Sequence, residues 1–135
     1  MTGIFVDTSA AYALADRRDR FHELARSRFG AALESGRPLV THSYVLAESM
    51  ALLQARLGQQ VAIAFAADAA QFEVEWIGPE LHREAVAALG QGHRISFVDQ
   101  VSFLFMRRRG IEEALAFDRD FVRAGFRIFG AEAEE

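Results

Sequence analysis

The 135-residue sequence has no cysteine, no lysine and only two prolines. Without cysteine the chain has no disulfide, no thiolate zinc site and no cysteine nucleophile, which agrees with a reducing compartment. Without lysine it has neither the lysine of a Walker-type phosphate loop nor a Schiff-base amine. No apolar run reaches the roughly 18 to 20 residues of a membrane span, and the beginning MTGIFVD lacks the features of a signal peptide. The sequence therefore predicts a cytoplasmic protein without a membrane anchor.

The composition is that of a globular protein, with 51% apolar and 25% charged residues. The length suits one domain, which we predict over residues 1–130, followed by a frayed acidic tail at 131–135. All 15 basic residues are arginine, and the formal net charge is −4. Nucleic-acid-binding domains are usually basic, so such a function requires bound divalent cations or local arginine clusters to offset this charge.

Strand-like and helix-like segments alternate along the chain. We predict strands at residues 3–6, 38–41, 72–77, 115–117 and 126–129, and helices at 8–15, 21–33, 44–57, 60–70, 79–89 and 96–109, with a helical turn around Phe121. This alternation predicts a parallel sheet covered by helices on both faces. In such sheets functional sites form beyond the carboxyl ends of the strands.

Four acidic residues lie where such a sheet would bring them together. Asp7 ends the run GIFV, Asp118 ends ALAF, Asp99 lies in the first turn of a helix, and Glu48 lies on the shoulder of an apolar helix face. Two carboxylates about 5 Å apart repel by roughly 3 kcal/mol at an effective dielectric of about 20, so the cluster needs protons or a cation. Mg²⁺ and Mn²⁺ prefer oxygen ligands, so the sequence predicts a metal site and, through it, phosphodiester chemistry.

Three of these acids also have a structural interpretation. Asp7 and Asp118 can cap the helical segments that follow them. Ser96 and Asp99 have the spacing of a capping box. Glu48 has apolar helical neighbours, so its ionised carboxylate needs a partner, which favours a site.

Other motifs carry weaker signals. The histidines lack HxxxH spacing, and we predict that they are surface or half-buried residues rather than zinc ligands: His22, His42, His82 and His93. The loop at residues 90–92 lacks the third glycine of a dinucleotide-binding loop, and no GxSxG motif occurs. Trp76 and the phenylalanines are predicted to lie in the core rather than to stack on bases.

Two groups of arginines are candidates for contact with a nucleic-acid backbone. Arg17, Arg18 and Arg20 follow the first helix near the edge that carries Asp7, and Arg94 precedes the helix of Asp99. A further run, RRR at 107–109, ends a helix, where positive charge complements the helix dipole; phosphate contact is the alternative.

Five segments make this sequence resemble the PIN-domain ribonucleases, and in particular the VapC-type toxins of bacterial toxin–antitoxin pairs. They are VDTSAAYAL near the beginning, DRFHELA at 19–25, SYVLAES around Glu48, ISFVDQVSFLFMRRRGI around Asp99, and ALAFDRDFVRAGF near the end. The resemblance implies an α/β fold, a PIN-like three-layer α/β/α sandwich with a central mostly parallel sheet. The family's acidic quartet carries over as Asp7, Glu48, Asp99 and Asp118, with Asp120 as a candidate fifth acid.

The activity implied by the resemblance is Mg²⁺- or Mn²⁺-dependent endonucleolytic cleavage of RNA. One or two ions held by the quartet would lower the pKa of a water, place it in line with a phosphorus and neutralise charge on the leaving oxygen. We expect Asp7 and Asp99 to be the main ligands, with Glu48 and Asp118 holding metal-bound waters or a second ion. The implied partners are the RNA substrate, a DNA-binding antitoxin whose C-terminal segment covers the site, and a second copy of the chain in a homodimer.

One position departs from the family pattern. Many relatives have Thr or Ser two residues before the fourth acid, where this chain has Ala116, and Ser9 is the candidate to replace that polar contact. One alternative is a catalytically weak PIN fold that binds RNA or protein, which metal titration would distinguish. A phosphatase or phosphotransfer domain is disfavoured, because haloacid dehalogenases require an aspartate at the position of Ser9 and receiver domains require a late lysine.

Overall fold

The computed structural model describes residues 1–91 and 94–131. The strands are β1 (Ile4–Val6), β2 (Leu39–His42), β3 (Glu73–Glu75), β4 (Glu113–Leu115) and β5 (Arg127–Ile128). The helices are α1 (Thr8–Ala15), α2 (His22–Glu34), α3 (Ser43–Leu57), α4 (Gln59–Asp68), α5 (Pro79–Leu89), α6 (Phe97–Arg109) and α7 (Asp120–Arg123), with a 3₁₀ turn at Ala69–Gln71. No helix in this part of the chain is both long and apolar enough to cross a membrane.

The strands form one sheet in the order β3-β2-β1-β4-β5, and each neighbouring pair is parallel. Phe5 pairs with Val40 on one side and with Ala114 on the other, so β1 is the central strand. Its three residues are all fully buried, as expected for a strand that helices cover on both faces. The predicted parallel sheet is confirmed.

Each face of the sheet has its own apolar core, because successive side chains of a strand point to opposite faces. Ile4 and Val6 pack with residues of α1 to α4, including Phe29 and Leu53. Phe5 points the other way and joins a core built from α5, α6 and α7. Its ring lies 5.8 Å from that of Phe105, measured between centroids. The fold therefore has the three layers expected from the sequence.

The fourth strand ends two residues earlier than predicted. It stops at Leu115, and the next segment leaves the sheet because the Phe117 N–H donates to the Ser9 hydroxyl at 2.9 Å rather than to a neighbouring strand. Asp118 consequently follows the strand at a distance of three residues. At the end of α6, Gly110 adopts a left-handed conformation with φ of +66°, which lets the chain turn from the helix into β4.

Two burial predictions were wrong. Trp76 is 78% exposed, because β3 is an edge strand that ends at Glu75. The residues after Glu75 no longer alternate between the two faces of the sheet, since the Ile77 N–H donates to the Ser43 hydroxyl. His42 was predicted to be at the surface or half-buried, and it is fully buried. The predictions for His93, Gly92 and residues 132–135 lie outside the described residues.

Candidate functional site

The carboxyl ends of the central strands β1 and β4 lie side by side, and an acid follows each of them. Asp7 directly follows β1, and its N–H donates to the Leu115 carbonyl of β4 at 3.0 Å. Its Oδ2 caps α1 by accepting from the Ser9 N–H at 3.1 Å and from the Ser9 hydroxyl at 2.6 Å. Ser9 therefore connects Asp7 to Phe117, at the beginning of the segment that carries Asp118.

Asp118 also accepts a hydrogen bond from the backbone. Its Oδ1 accepts from the Asp120 N–H at 2.9 Å, which stabilises the turn into α7. The capping interpretation is thus confirmed for Asp7, whereas Asp118 stabilises the turn before α7 and Arg119 is the N-cap residue; neither role excludes a site. Each capping arrangement engages one oxygen of the carboxylate, and an ionised carboxylate has a second oxygen for another partner.

Asp99 comes to the same place from α6. Its N–H donates to the Ser96 hydroxyl at 3.1 Å, so Ser96 is the predicted N-cap, and the Asp99 carboxylate is buried. Carboxylate oxygens of Asp99, Asp118 and Asp120 all lie within 4.8 Å of one another. At this separation each pair of ionised carboxylates repels by roughly 3 kcal/mol at an effective dielectric of about 20.

The pKa values of the buried acids reflect this crowding. Burial, as the largest cause, raises the pKa of Asp99 to about 8 together with the nearby charges of Asp7 and Asp118. Burial also raises the pKa of Asp7, to about 6, although the hydrogen bonds from Ser9 lower it and the Asp118 charge adds to the rise. Asp7 therefore belongs to the same electrostatic cluster as the three acids that lie within 4.8 Å.

Glu48 occupies a different position from the other predicted acids. It lies half-buried on α3 and is outside the group of three carboxylates found among the described residues. Helix α3 begins directly after β2, which is next to β1 in the sheet, so Glu48 belongs to the helix that starts at the carboxyl edge. The acidic quartet as a whole stays a prediction.

A buried hydrogen-bond chain connects the helices of Glu48 and Asp99. His42 caps α3, since its Nδ1 accepts from the N–H groups of Tyr44 and Val45 at 3.2 and 3.3 Å. The ring proton must then be on Nε2, which donates to the Ser102 hydroxyl at 2.8 Å. Ser102 in turn donates to the carbonyl of Val98 at 3.0 Å. Burial lowers the pKa of His42 to about 4, so the ring is neutral at physiological pH.

Two clefts reach the acidic cluster. The larger one, here called the arginine cleft, has a volume of about 600 Å³, and its polar lining consists of Gln91, Arg94, Gln100, Arg107, Asp120 and Arg123. The smaller one, here called the aromatic cleft, has a volume of about 270 Å³, and its lining includes Ser9, Tyr12, Phe21, Arg56, Phe117 and Asp118. Each cleft therefore contains one acid of the cluster.

The predicted backbone-contacting arginines divide between these clefts. Arg94 lines the arginine cleft. The Arg20 guanidinium lies 4.5 Å from the centroid of the Phe21 ring. The Phe21 ring in turn stacks on that of Phe117 in the aromatic cleft, with 4.7 Å between the ring centroids. Arg17 and Arg18 are exposed in the same connection between α1 and α2.

Sequence reasoning missed other residues of the clefts. The predicted contact residues do not include Arg123 or Arg56, and the sequence pattern favours a helix-dipole role for Arg107, yet all three line a cleft. A signal for Arg107 was present, because Gln100 and Arg107 are seven residues apart and so lie on one face of α6. For Arg123 a signal was also present, because it follows the predicted acid Asp120 by three residues and pairs with it on α7, whereas Arg56 has no such link to a predicted acid.

Comparison with known proteins agrees with this architecture. The family model described as PIN domain matches residues 4–127. The 23S rRNA-specific endonuclease VapC20 of Mycobacterium tuberculosis is 39% identical over 128 residues, which cover 91% of this chain and 95% of the relative.

Solved structures show the same likeness. The crystal structure of Mycobacterium tuberculosis VapC20, described as a sarcin–ricin loop cleaving toxin, matches with a TM-score of 0.80 and 37% identity, covering 91% of this chain and 95% of that one. A DNA-bound VapBC from Salmonella typhimurium matches with a TM-score of 0.66 at 21% identity, covering 95% and 97%, and supports the fold alone. The chain therefore belongs to the PIN domain family, among its VapC-type members.

Proposed function

We propose that this protein is a metal-dependent endoribonuclease and the toxin of a toxin–antitoxin pair. The observation that carries the proposal is the group of three carboxylates, Asp99, Asp118 and Asp120, whose oxygens lie within 4.8 Å of one another. Asp7 contributes charge to the same cluster. Asp99 is buried and Asp118 and Asp120 are partly buried, and carboxylates this close together at a partly buried site need a proton or a cation to compensate their charge.

The donor set fits Mg²⁺ or Mn²⁺. All the donors are carboxylate oxygens, the type that hard divalent ions select. Ligands on opposite sides of Mg²⁺ are about 4.2 Å apart, twice its usual bond length of about 2.1 Å, so modest side-chain movements would suit one ion. Such an ion would be held by Asp99, Asp118 and Asp120, with Asp7 as a further ligand. Glu48, the remaining acid of the predicted quartet, would hold metal-bound water or a second ion. A second ion is a further expectation from the family.

A bound divalent ion would supply a more acidic water and positive charge at the scissile phosphate. The residues of this chain have separate tasks. Ser9 keeps the Asp7 carboxylate in place through two hydrogen bonds, at 2.6 and 3.1 Å. Asp99, whose pKa is raised by burial, holds a proton when no cation is present. Arg94 and Arg20, in or beside the two clefts, would neutralise substrate phosphates, with exposed Arg17 and Arg18 adding to the field.

The substrate and partners are proposed from the relatives. Because the VapC20 relative is named for 23S rRNA and for the sarcin–ricin loop, we propose a loop of 23S rRNA as the first target to test. From membership of the VapC-type proteins we propose a cognate antitoxin with a DNA-binding domain as a partner. We also propose a homodimer and, since the substrate is RNA and the chain has no cysteine, a cytoplasmic location.

The test is cleavage of ribosomal RNA by the purified protein. Intact 23S rRNA is incubated with Mg²⁺ or Mn²⁺, and primer extension maps any cut, with EDTA as the control. A discrete cut that requires the metal is the expected result. Binding of RNA without any metal-dependent cut would instead favour the alternative of a catalytically weak binding module.

A further inference from the structure

We infer that the arginine cleft binds the phosphates of the RNA strand that continues from the scissile bond. This inference rests on the proposed function and adds a binding site to it. Arg94 comes from the connection before α6, Arg107 from α6, and Arg123 from α7, so three separate segments bring positive charge to one cleft of about 600 Å³. In a chain whose net charge is −4, this is a concentration of charge of the opposite sign.

The cleft is continuous with the acidic cluster. Asp120 belongs both to the cleft lining and to the group of three carboxylates. A phosphodiester backbone whose scissile phosphate lies at that group would therefore have its neighbouring phosphates at the entrance of the cleft. This continuity favours the substrate strand over an acidic protein segment as the occupant.

Arg107 has two contacts that position its guanidinium, and Arg123 pairs with an acid of the cluster. Arg107 donates through Nη2 to the Ala124 carbonyl at 3.1 Å, and its guanidinium lies 5.4 Å from the centroid of the Phe126 ring. Arg123 donates through Nη1 to Asp120 at 3.0 Å. A guanidinium carries five N–H donors, so each of these bonds leaves others for a phosphate. The Arg123–Asp120 pair also puts one phosphate-binding group next to a carboxylate of the cluster.

The neighbours of Arg107 provide a matched control. Arg108 forms an ion pair with Glu84, and Arg109 forms ion pairs with Glu75 at 2.8 Å and with Glu73 at 3.7 Å. Neither residue lines the arginine cleft. The three consecutive arginines therefore differ in environment, although all are exposed and carry the same charge.

The experiment compares two double variants, Arg107→Gln with Arg123→Gln, and Arg108→Gln with Arg109→Gln. The binding of a fluorescent single-stranded RNA is measured across a salt series in EDTA, and cleavage is measured separately with Mg²⁺. Each lost phosphate contact should reduce the salt slope by about 0.7, so the first variant should lose about 1.4 units of slope and, at 0.1 M salt, about 25-fold in affinity. The second variant should bind RNA as the wild type does.

The outcomes separate this inference from the proposed function. If the wild type cleaves RNA but the Arg107 and Arg123 variant keeps the wild-type affinity and salt slope, the inference is overturned and the proposed function stands. If both double variants lose affinity equally, the cleft has no special role and the inference fails as well. If RNA binding is unchanged while binding of the cognate antitoxin is lost, the occupant is the protein partner. A wild type that cleaves no RNA counts against the proposed function itself.

Discussion

His42 and Asp99 are both buried polar side chains, but they differ in where their partners come from. The neutral ring of His42 lies under the carboxyl edge of the sheet, and its two nitrogens engage the backbone of α3 and the Ser102 hydroxyl. Asp99 lies at the edge itself, and its neighbours are other carboxylates. The first site is satisfied by the chain, whereas the second requires a proton or a cation from outside. The buried polar groups are thus satisfied within the fold at His42, whereas at Asp99 they form a cluster that could bind a metal ion.

The largest expected effect comes from removing one charge at the edge. Asp99→Asn should lower metal-dependent RNA cleavage by about a hundredfold or more, since even outer-sphere partners of a metal typically matter by 10–100-fold. Without metal, the variant should be as stable as the wild type or more stable, because Asn is neutral at every pH, whereas Asp99 must take up a proton on folding to lie beside the other carboxylates. Cleavage rates and chemical denaturation in EDTA check the two halves. Asp68→Asn on α4 removes the same charge away from the cluster and should change neither quantity.

For His42, which lies below the carboxyl edge, we expect a loss of stability rather than a loss of cleavage. His42→Ala removes the cap of α3, leaves Ser102 with one partner fewer and opens a cavity, so it should lower the free energy of unfolding by about 3 kcal/mol. His82→Ala is the comparison, because His82 is half-buried and contacts the Tyr44 hydroxyl at 2.5 Å. It should cost about 1 kcal/mol. Equal losses in urea denaturation would mean that the His42 chain has no special role.

A divalent cation should stabilise the edge. At a Mg²⁺ or Mn²⁺ concentration of about 100 Kd, the free energy of unfolding should rise by about 2.7 kcal/mol, and EDTA should reverse the effect. Thermal melts of the wild type and of Asp99→Asn check this, and the variant should respond less. A melting temperature that ignores metal and chelator in the wild type would remove the basis for a metal site.

The two regions should also respond to pH with opposite signs. The pKa of Asp99 is raised from 3.8 to about 8 in the folded protein, so its neutral form stabilises the fold at low pH, and this contribution is lost as the pH rises through that range. The pKa of His42 is lowered from 6.5 to about 4, so its contribution is present above pH 6.5 and is lost as the pH falls toward 4.

The difference in the free energy of unfolding between the wild type and Asp99→Asn gives the contribution of the Asp99 carboxyl group. In EDTA, as the pH rises from 4 to 8, the free energy of unfolding of the variant should increase relative to that of the wild type by up to about 1.4 kcal/mol for each pH unit. Denaturation at a series of pH values measures this difference. A gap that does not change with pH would show that Asp99 titrates normally in the folded protein.

Much of the fold could be predicted from local pattern. Local sequence determines the type of several elements. Examples are the apolar run of β1, the glycine at position 110 that ends α6, and the helical spacing of apolar residues in α3, α5 and α6. Edge positions were less predictable. Trp76 continues an alternating pattern, but β3 has a neighbour on only one side and ends before it, so the side chain is exposed.

The sequence by itself determined which residues can carry the chemistry: the acids after β1 and β4, Asp99 in the first turn of α6, and a basic complement made only of arginine. Only the tertiary structure decided which of them meet. Asp120 joins Asp99 and Asp118 because the turn that the Asp118 carboxylate stabilises leads the chain into α7. Arg107 lines the arginine cleft, whereas Arg108 and Arg109 pair with acids of α5 and β3, because α6 packs between the two. The reason is physical: element type follows from local preferences, whereas a site depends on long-range packing that places side chains from separate segments within a few ångströms.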